Sequence, residues 1–545
     1  MNQRQLFRLI IPAHPYKNVF SAVSSRMTSL GPILVATSVN KSFWDVDVEV
    51  IDENNYLGPR DKNNLPRTTE CHGREPGSTK FVLPGEPVVR GLPDHKILQQ
   101  QWPADFVGFY CGLTSTMPRV FDLATFYQKE NAVTIAGGDH AAHLPEEALG
   151  SGLDIVVRGE GEFAIVEIIK AIKNGTGLGR IAGISWQNNG KIFHNPPKAL
   201  QIPDLTDLPY PDFGLLHFAR KMILYPINRT RGCSRRCEFC TVKRQPRWAN
   251  PEKAVEEIAW LVQTKKARYF FIVDDRLNED DEGTRKFFEL IIKAKEEGWL
   301  PKNTSFSVQI RLEAAREEEL LKLMRRAGVS MVCIGYESPI AEELKAMKKG
   351  IKPEDMVGYT KVFKRLGFWV HAMFIFGYPT QSAVESVKMS AAEKVKEFKK
   401  FMRQAKPDTI QVLLATPIPG TELYARLEKQ GRIFPRNLIG WENYDGGHLC
   451  FKPDEPMTAE EVQRASIAIM KWFYSGWNFW KIPLLILSFP FIVPFSFSFW
   501  SRRWRNSLWG YAGYLIIKKW LKLNKQSQWL ERLSLAQKRT IINQI

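Results

Sequence analysis

From residue 226 to residue 450, short apolar runs alternate with helical stretches. The apolar runs are residues 225–229, 269–273, 305–310, 331–335, 370–376 and 409–414, and the spacing predicts helices over 251–264, 282–297, 317–327, 353–366 and 382–404. Strands alternating with helices imply a parallel sheet, because a parallel neighbour is reached only through a crossover connection. Six such repeats fall short of a closed eight-stranded barrel and predict an open, partial (βα)6 barrel of the TIM type.

A second α/β block precedes it. Residues 1–185 predict strands over 7–11, 46–51, 106–110, 133–136 and 155–157, with helices over 120–129 and 163–173 among them. This is a Rossmann-like pattern, a parallel sheet covered on both faces, and ligands of such sheets bind beyond the carboxyl ends of the strands. Residues 53–95, rich in Gly, Pro, Asn and charge, read as a long loop or insertion. Residues 186–225 contain Pro196, Pro197, Pro203, Pro209 and Pro211 and read as a linker. The organisation expected is thus 1–185, linker 186–225, barrel 226–450 and a helical tail 451–545.

Charge is concentrated in that tail. From Lys471 to Ile545 there are twelve Lys or Arg against the single acid Glu531, so this stretch supplies +11 of the chain's net +18, and it holds eight of the sixteen tryptophans. The remainder is only mildly basic, which argues against a nucleic-acid footprint on the catalytic body. Within the tail, residues 458–474 predict a helix opened by a capping-box signal. Residues 482–501 are uncharged and flanked by Lys481, Arg502, Arg503 and Arg505. Their length suits a membrane span, but Pro483, Pro490 and Pro494 favour a kinked, re-entrant or interfacial segment over a full span or a buried core element. The tail therefore reads as an element of a membrane surface.

The seven cysteines are Cys71, Cys111, Cys233, Cys237, Cys240, Cys333 and Cys450. The N-terminus has no signal-peptide pattern, and an odd, uneven set of cysteines in a large chain argues for a reducing cytoplasm rather than a disulfide framework. Three of them stand in RGCSRRCEFC, Arg231 to Cys240, with spacing C-x3-C-x2-C directly after a predicted strand. Three close thiolates can hold three irons of a [4Fe-4S] cube and leave the fourth open to a substrate. A zinc site with a distant fourth ligand, His448 or Cys450, is the alternative. Cys333 lies in an apolar strand pattern and reads as a core residue.

The motif resembles that of the radical SAM superfamily, C-x3-C-x-aromatic-C, with Phe239 as the aromatic, and the barrel pattern of 226–450 resembles that superfamily's partial barrel. The resemblance extends to FFIVDD (Asp274, Asp275), SVQIR (Gln309, Arg311), CIGYES (Gly335, Glu337), FIFGYP (Gly377, Pro379) and TPIPGT (Thr416 to Thr421). It implies that Cys233, Cys237 and Cys240 bind the cluster. It also implies that Phe239, Asp274, Asp275, Gln309, Arg311, Gly335 and Glu337 lie around S-adenosylmethionine. Asp274 and Asp275 also read as solvated acids at a helix start.

The N-terminal block resembles the cobalamin-binding domain of one large radical SAM class, through YCGLTSTMPRV (Thr114, Ser115), AGGDHAAHLPEEAL (Gly137, Gly138) and DIVVRGEGE (Arg158 to Glu162). The D-x-H-x-x-G motif that supplies an axial histidine in many cobalamin proteins is absent. His14 follows the first strand but lacks that context, and His140 and His143 read as structural. Either cobalamin binds without a protein histidine or the domain has lost it. Methylthiotransferases of the superfamily carry a second cysteine trio upstream, a requirement Cys71 and Cys111 do not meet.

The resemblance implies an enzyme that reductively cleaves S-adenosylmethionine and functionalises an unactivated carbon, with a flavodoxin or ferredoxin as reductant. Relatives with this layout act on hopanoids, tetraether lipids, porphyrin precursors, peptides and small antibiotics. Joined to the tail, it suggests a lipid or isoprenoid substrate and methyl transfer. The location expected is cytoplasmic, peripheral or re-entrant on the inner face of the membrane. Alternatives are radical cyclisation or C–C bond formation on a lipid or porphyrin-like substrate, or a radical SAM enzyme modifying nucleic acid or peptide.

Overall fold

The computed structural model describes residues 4–15, 26–57, 92–197, 204–242, 245–380, 388–474 and 526–542. Most of the expected insertion, including Cys71, and the apolar segment 482–501 lie outside the described residues. The chain divides into two compact units. One comprises Met1–Arg229, Arg247–Ala267 and Ile418–Gly420, the other Thr230–Pro246, Arg268–Pro417 and Thr421–Ile545.

The first unit is built on a seven-stranded sheet of β1 (Gln5–Ile11), β2 (Val46–Asp52), β3 (Phe106–Tyr110), β4 (Val133–Gly137), β5 (Ile155–Val157), β6 (Ile184–Asn188) and β7 (Lys191–His194), in the spatial order β2-β1-β3-β4-β5-β6-β7. The pairings from β2 through β5 are parallel. Phe7, Ile10, Val50, Val107 and Val156 are buried, as strands covered on both faces require. The strand order reverses between β1 and β3, which makes the carboxyl ends of β1, β3 and β4 the ligand edge of the sheet.

Two features of this unit differ from the sequence reading. Helix α1 (Leu30–Ser42) was not expected: eight of its thirteen residues are buried, so it shows no apolar stripe to read. The start of the expected linker is structured, since β6 and β7 pair antiparallel to β5 and to each other at the sheet edge. Helices α2 (Met117–Lys129) and α3 (Gly161–Lys173) match the predicted periodicity.

The ligand edge of this sheet is stiffened by a buried ion network. Glu53, just past β2, accepts from the Ala13 amide at 2.8 Å and from Arg119 Nη2 at 2.5 Å, and faces His95 Nε2 at 3.0 Å. Burial alone would raise the Glu53 carboxyl. Arg119 and His95 instead hold it well below the usual carboxylate range.

A second sheet is formed by β8 (Leu224–Ile227), β9 (Tyr269–Ile272), β10 (Ser305–Gln309), β11 (Val329–Glu337), β12 (Trp369–Phe376) and β13 (Thr409–Leu414). Its order, β13-β12-β11-β10-β9-β8, is that of the sequence. The pairings from β9 to β13 are parallel. The sheet is open and six-stranded, as the six repeats predict. Its helices are α4 (Pro251–Lys265), α5 (Asp281–Glu296), α6 (Glu318–Ala327), α7 (Pro353–Arg365), α8 (Ala391–Ala405) and α9 (Glu422–Lys429). Helix α8 begins later than its periodicity suggested, because Ser390 and Glu393 close a capping box at its start.

Helix α10 (Ala459–Tyr474) starts at the predicted box: Thr458 N–H donates to Glu461 Oε2 at 2.8 Å and Glu461 N–H to Thr458 Oγ1 at 3.3 Å. Helix α11 (Gln526–Ile542) packs on it. Trp529 Nε1–H donates to Gln463 Oε1 at 3.0 Å, and the Trp529 ring centroid lies 4.7 Å from that of His448. Among the described residues no helix is long and apolar enough to cross a membrane.

Candidate functional site

The cysteine loop begins at the end of the short strand Thr230–Arg231, where Gly232 adopts φ +91°, a conformation glycine tolerates. Each turn of the loop then finds an acid waiting at the carboxyl end of β9. Thr230 N–H donates to Asp274 Oδ1 at 2.9 Å, Gly232 N–H to Asp275 Oδ2 at 2.7 Å and Ser234 N–H to Glu279 Oε1 at 2.7 Å. Arg276 Nη1 bridges Ser234 Oγ (3.0 Å) and Glu279 Oε1 (3.2 Å). Charge-assisted bonds of this kind contribute roughly 1.5–3 kcal/mol each. Asp274 is fully buried. Asp274 is therefore not a solvated helix-start residue but carries the backbone of the cysteine loop, and the exposed Asp275 braces the same loop at Gly232.

Cys233, Cys237 and Cys240 are all half-buried and free. Burial pushes the Cys233 thiol up. It pushes Cys240 up to about 11, with the neighbouring Cys237 and Cys233 adding to the effect. Among the described residues, no three His, Cys, Asp or Glu side chains are close enough to share one metal ion. A cube asks for a wider set, because each thiolate takes its own iron. The donor set of three thiols on one braced loop fits that group. The distant ligands a zinc site would recruit are engaged elsewhere. His448 Nδ1 lies 2.9 Å from Asp445 Oδ1, and the buried Cys450 thiol faces the Asn443 carbonyl at 3.4 Å. Cys111 and Cys333 are buried as well.

Among the residues expected around S-adenosylmethionine, Arg311, Gly335 and Glu337 converge on Lys349, a residue the sequence reading missed. Lys349 Nζ pairs with Glu337 Oε1 at 2.6 Å, and the Lys349 carbonyl accepts from Arg311 Nη2 at 3.1 Å. A Cβ on Gly335 would meet the Glu337 carboxylate and stand 3.0 Å from Lys349 Nζ, so a side chain there would push this ion pair aside. Arg311 also pairs with Glu313. Gln309 is exposed at the end of β10. The signal available in the sequence was MKKG, two cations before a glycine and twelve residues past Glu337.

Phe239 packs edge-on against Tyr378, with ring centroids 6.2 Å apart. Between the second and third cysteines lies a further residue the sequence reading did not single out. Glu238 is 2% exposed and accepts from Tyr378 Oη at 2.6 Å and from Arg426 at 2.7 and 3.0 Å. A glutamate between two metal-ligand cysteines was the signal for it.

In the first unit, Thr114 and Ser115 sit in a 3-10 turn after β3, and both are buried. Thr114 Oγ1 lies 3.2 Å from His140 Nδ1, which gives His140 a structural partner. Gly138 has φ +127°, and a Cβ there would stand 2.5 Å from the Cys111 carbonyl carbon. Gly138 thus permits a close approach of the chain that follows β3. Gly137 has room: a Cβ would meet only Val157, at 3.9 Å. His143 is exposed, with Nδ1 held 2.7 Å from the Asp139 carbonyl. Half-exposed Gly137 and Gly138, beside exposed Leu113, form a side-chain-poor face at the ligand edge that fits a flat macrocycle. A cavity of about 660 Å³ is lined by Lys41, Phe163, Thr206, Tyr210 and Lys253 and contains none of the expected site residues.

Residues 227–389 match the profile of the radical SAM superfamily, and residues 93–169 that of the B12 binding domain. The chain is 28% identical to an uncharacterized methyltransferase of Pyrococcus horikoshii, over 61% of this chain and 72% of that protein. It is 26% identical to the anaerobic magnesium-protoporphyrin IX monomethyl ester cyclase of Rubrivivax gelatinosus, over 66% of this chain and 65% of that one. In fold it is similar to the cobalamin-dependent S-adenosylmethionine radical enzyme OxsB, with TM-score 0.60 and 15% identity over 99% of this chain and 84% of that chain. Both domain profiles fall where the sheets and the cysteine loop had placed them. The chain therefore belongs to the radical SAM superfamily of enzymes, in the class that carries a B12-binding domain upstream of the radical SAM domain.

Proposed function

We propose that this protein is a cobalamin-dependent radical SAM enzyme that functionalises an unactivated carbon of a hydrophobic substrate, a lipid or isoprenoid, by methyl transfer. The observation that carries the reading is the Cys233–Cys237–Cys240 loop, whose amides are fixed by Asp274, Asp275 and Glu279. When bound, the cluster and S-adenosylmethionine supply one-electron cleavage chemistry, and cobalamin supplies a carrier for the methyl group. The three cysteines hold the cluster. Arg311, Glu337 and Lys349 orient the S-adenosylmethionine, with Gln309, Phe239 and Gly335 around it. The half-exposed Gly137–Gly138 face receives cobalamin, and Thr114 and Ser115 hold that face from beneath.

The remaining finer assignments belong to the same proposal: a flavodoxin or ferredoxin as electron donor, and a four-part organisation at 1–185, 186–225, 226–450 and 451–545. The proposed location is the cytoplasmic face of the membrane, approached through the Trp-rich basic tail. A second reading is radical cyclisation or other C–C bond formation on a porphyrin-like substrate. It is favoured by the likeness to the magnesium-protoporphyrin cyclase.

Two measurements test this. Anaerobically reconstituted protein is expected to hold about four irons, and Cys233→Ala, Cys237→Ala and Cys240→Ala each to lose them; unchanged iron in all three sinks the cluster assignment. Lipid mass spectrometry of cells with and without the gene separates the outcomes. A product heavier by one CH2 means methylation, a product lighter by two hydrogens means ring or bond formation, and an unchanged lipid profile removes the lipid reading.

A further inference from the structure

Glu238 stands inside the cysteine motif, flanked by Cys237 and Phe239, yet its side chain turns away from solvent and is 2% exposed. A buried carboxylate is costly unless its charge is matched and its lone pairs are filled. Both conditions are met by elements distant in sequence. Arg426 on α9 donates through Nε to Oε1 at 2.7 Å and through Nη2 to Oε2 at 3.0 Å, a two-pronged contact that a lysine cannot reproduce. Tyr378, fully buried just past β12, donates to Oε2 at 2.6 Å.

The same residue is held through its backbone. Glu238 N–H donates to the Met347 carbonyl at 3.0 Å, and its carbonyl accepts from Leu423 N–H at 3.1 Å. Arg426 also donates to the carbonyls of Pro379 (3.1 Å) and Thr380 (3.3 Å). One residue of the motif thus ties together the loops after β11 and β12 and the start of α9.

We propose that Glu238 is a positioning residue that fixes the Cys237–Cys240 segment, and that the Glu238–Arg426 pair balances charge beside the cluster and so tunes its reduction potential. This rests on the cluster reading given above. The physics is that of groups behind the ligands: a full charge one residue from a ligating sulfur, in a site drawn out of water, biases how readily the cluster accepts an electron. Removing the negative member leaves an uncompensated cation, which favours the reduced, more negative cluster. Removing the positive member leaves an uncompensated anion, which disfavours it.

The test uses the full-length chain reconstituted anaerobically, as wild type, Glu238→Gln, Arg426→Gln and the double variant, with iron per chain and midpoint potential measured by a titration followed by electron paramagnetic resonance. The expected result is a rise in potential for Glu238→Gln, a fall for Arg426→Gln and a return toward wild type in the double variant, a coupling that a double-mutant cycle isolates. Shifts of the same sign in both single variants, or no shift, overturn the proposal while leaving the cluster reading intact. A wild-type chain that takes up no iron sinks the cluster reading itself, and the proposal with it. If a single variant loses its iron, the double variant decides: iron retained near the wild-type potential supports charge balance, and iron lost overturns it.

Discussion

Lys349 Nζ lies 2.6 Å from Glu337 Oε1, and neither side chain is more than about an eighth exposed. Glu337 also has φ +61°, in the left-handed region, at a point where the register of β11 on β12 shifts. A non-glycine residue is kept in that region only where its surroundings over-determine it, and such sites cluster at ligand clamps. Breaking the pair by Lys349→Met leaves a largely buried carboxylate alone, at a cost of about 3 kcal/mol. Denaturant unfolding is expected to show that loss, and calorimetry a weaker affinity for S-adenosylmethionine. Adding Glu337→Gln is expected to recover part of the stability. Strictly additive losses would show that the two side chains are not coupled.

Asp274 makes a second prediction, because its work is done on the backbone. Asp274→Ala removes the acceptor of the Thr230 amide. The loss is expected to be about 1–3 kcal/mol in unfolding free energy, the range for a buried donor stripped of its partner. Iron retained after exposure to air is expected to fall with it, since the loop that presents Cys233 is no longer braced. Wild-type stability and iron retention in this variant would return Asp274 to the status of a simple helix-start acid.

Glu257 on α4 gives a pH dependence unrelated to the cofactors. Burial pushes its carboxyl up to about 7, with Lys253 opposing. Its proton is held more tightly in the folded chain than in the unfolded one. The favourable contribution is therefore complete below the ordinary value of 4.5 and lost as pH rises through about 7. Glu257→Gln is expected to match wild type at pH 4 and to be more stable by about 2–3 kcal/mol at pH 8. The check is the difference in unfolding free energy between those two pH values; a difference that does not change with pH would mean that Glu257 is solvated.

These three sites differ in how far the sequence announced them. Strands β1–β5 and β8–β13 were legible because their apolar runs are short and bounded by turns, and 409–414 and 106–110 match the structure residue for residue, whereas β6 and β7 fell in the expected linker. The cysteine trio was legible because its ligands are local in sequence. Helix α1 was not, since a helix buried on most sides has no period to detect. Glu238 and Arg426 were not, because 188 residues separate the two partners, and Lys349 was not, because its pairing with Glu337 twelve residues earlier follows no helical or strand spacing. Asp274 and Asp275 were noticed as acids at the right strand end. Their partners are backbone amides, which carry no side-chain signature in a sequence.

The tail gives the last prediction. A truncation at Pro456 would test membrane binding badly, because it also removes α10. Tyr474 Oη, at the end of that helix, accepts from the Ile410 amide at 2.9 Å and donates to the Ile410 carbonyl at 2.7 Å, and so holds the start of β13. Cutting at Gln526 would strip α11 from α10 and uncover Leu533 and Ala536, both fully buried. The discriminating change leaves both helices in place and replaces only residues 482–501 with a polar linker of equal length. The removed segment is uncharged, and thirteen of its twenty residues are Ile, Leu, Val, Phe or Trp. On the interfacial reading it supplies the apolar burial, while the flanking Lys and Arg supply attraction to anionic headgroups worth about 1 kcal/mol each near the surface. Flotation with vesicles containing anionic lipid is expected to recover the wild-type chain and not the replaced one, with iron content equal in the two. Raising salt is expected to weaken wild-type flotation only in part, because apolar insertion is not screened. Equal flotation of the two chains would remove 482–501 from the membrane reading and leave charge alone as the attraction.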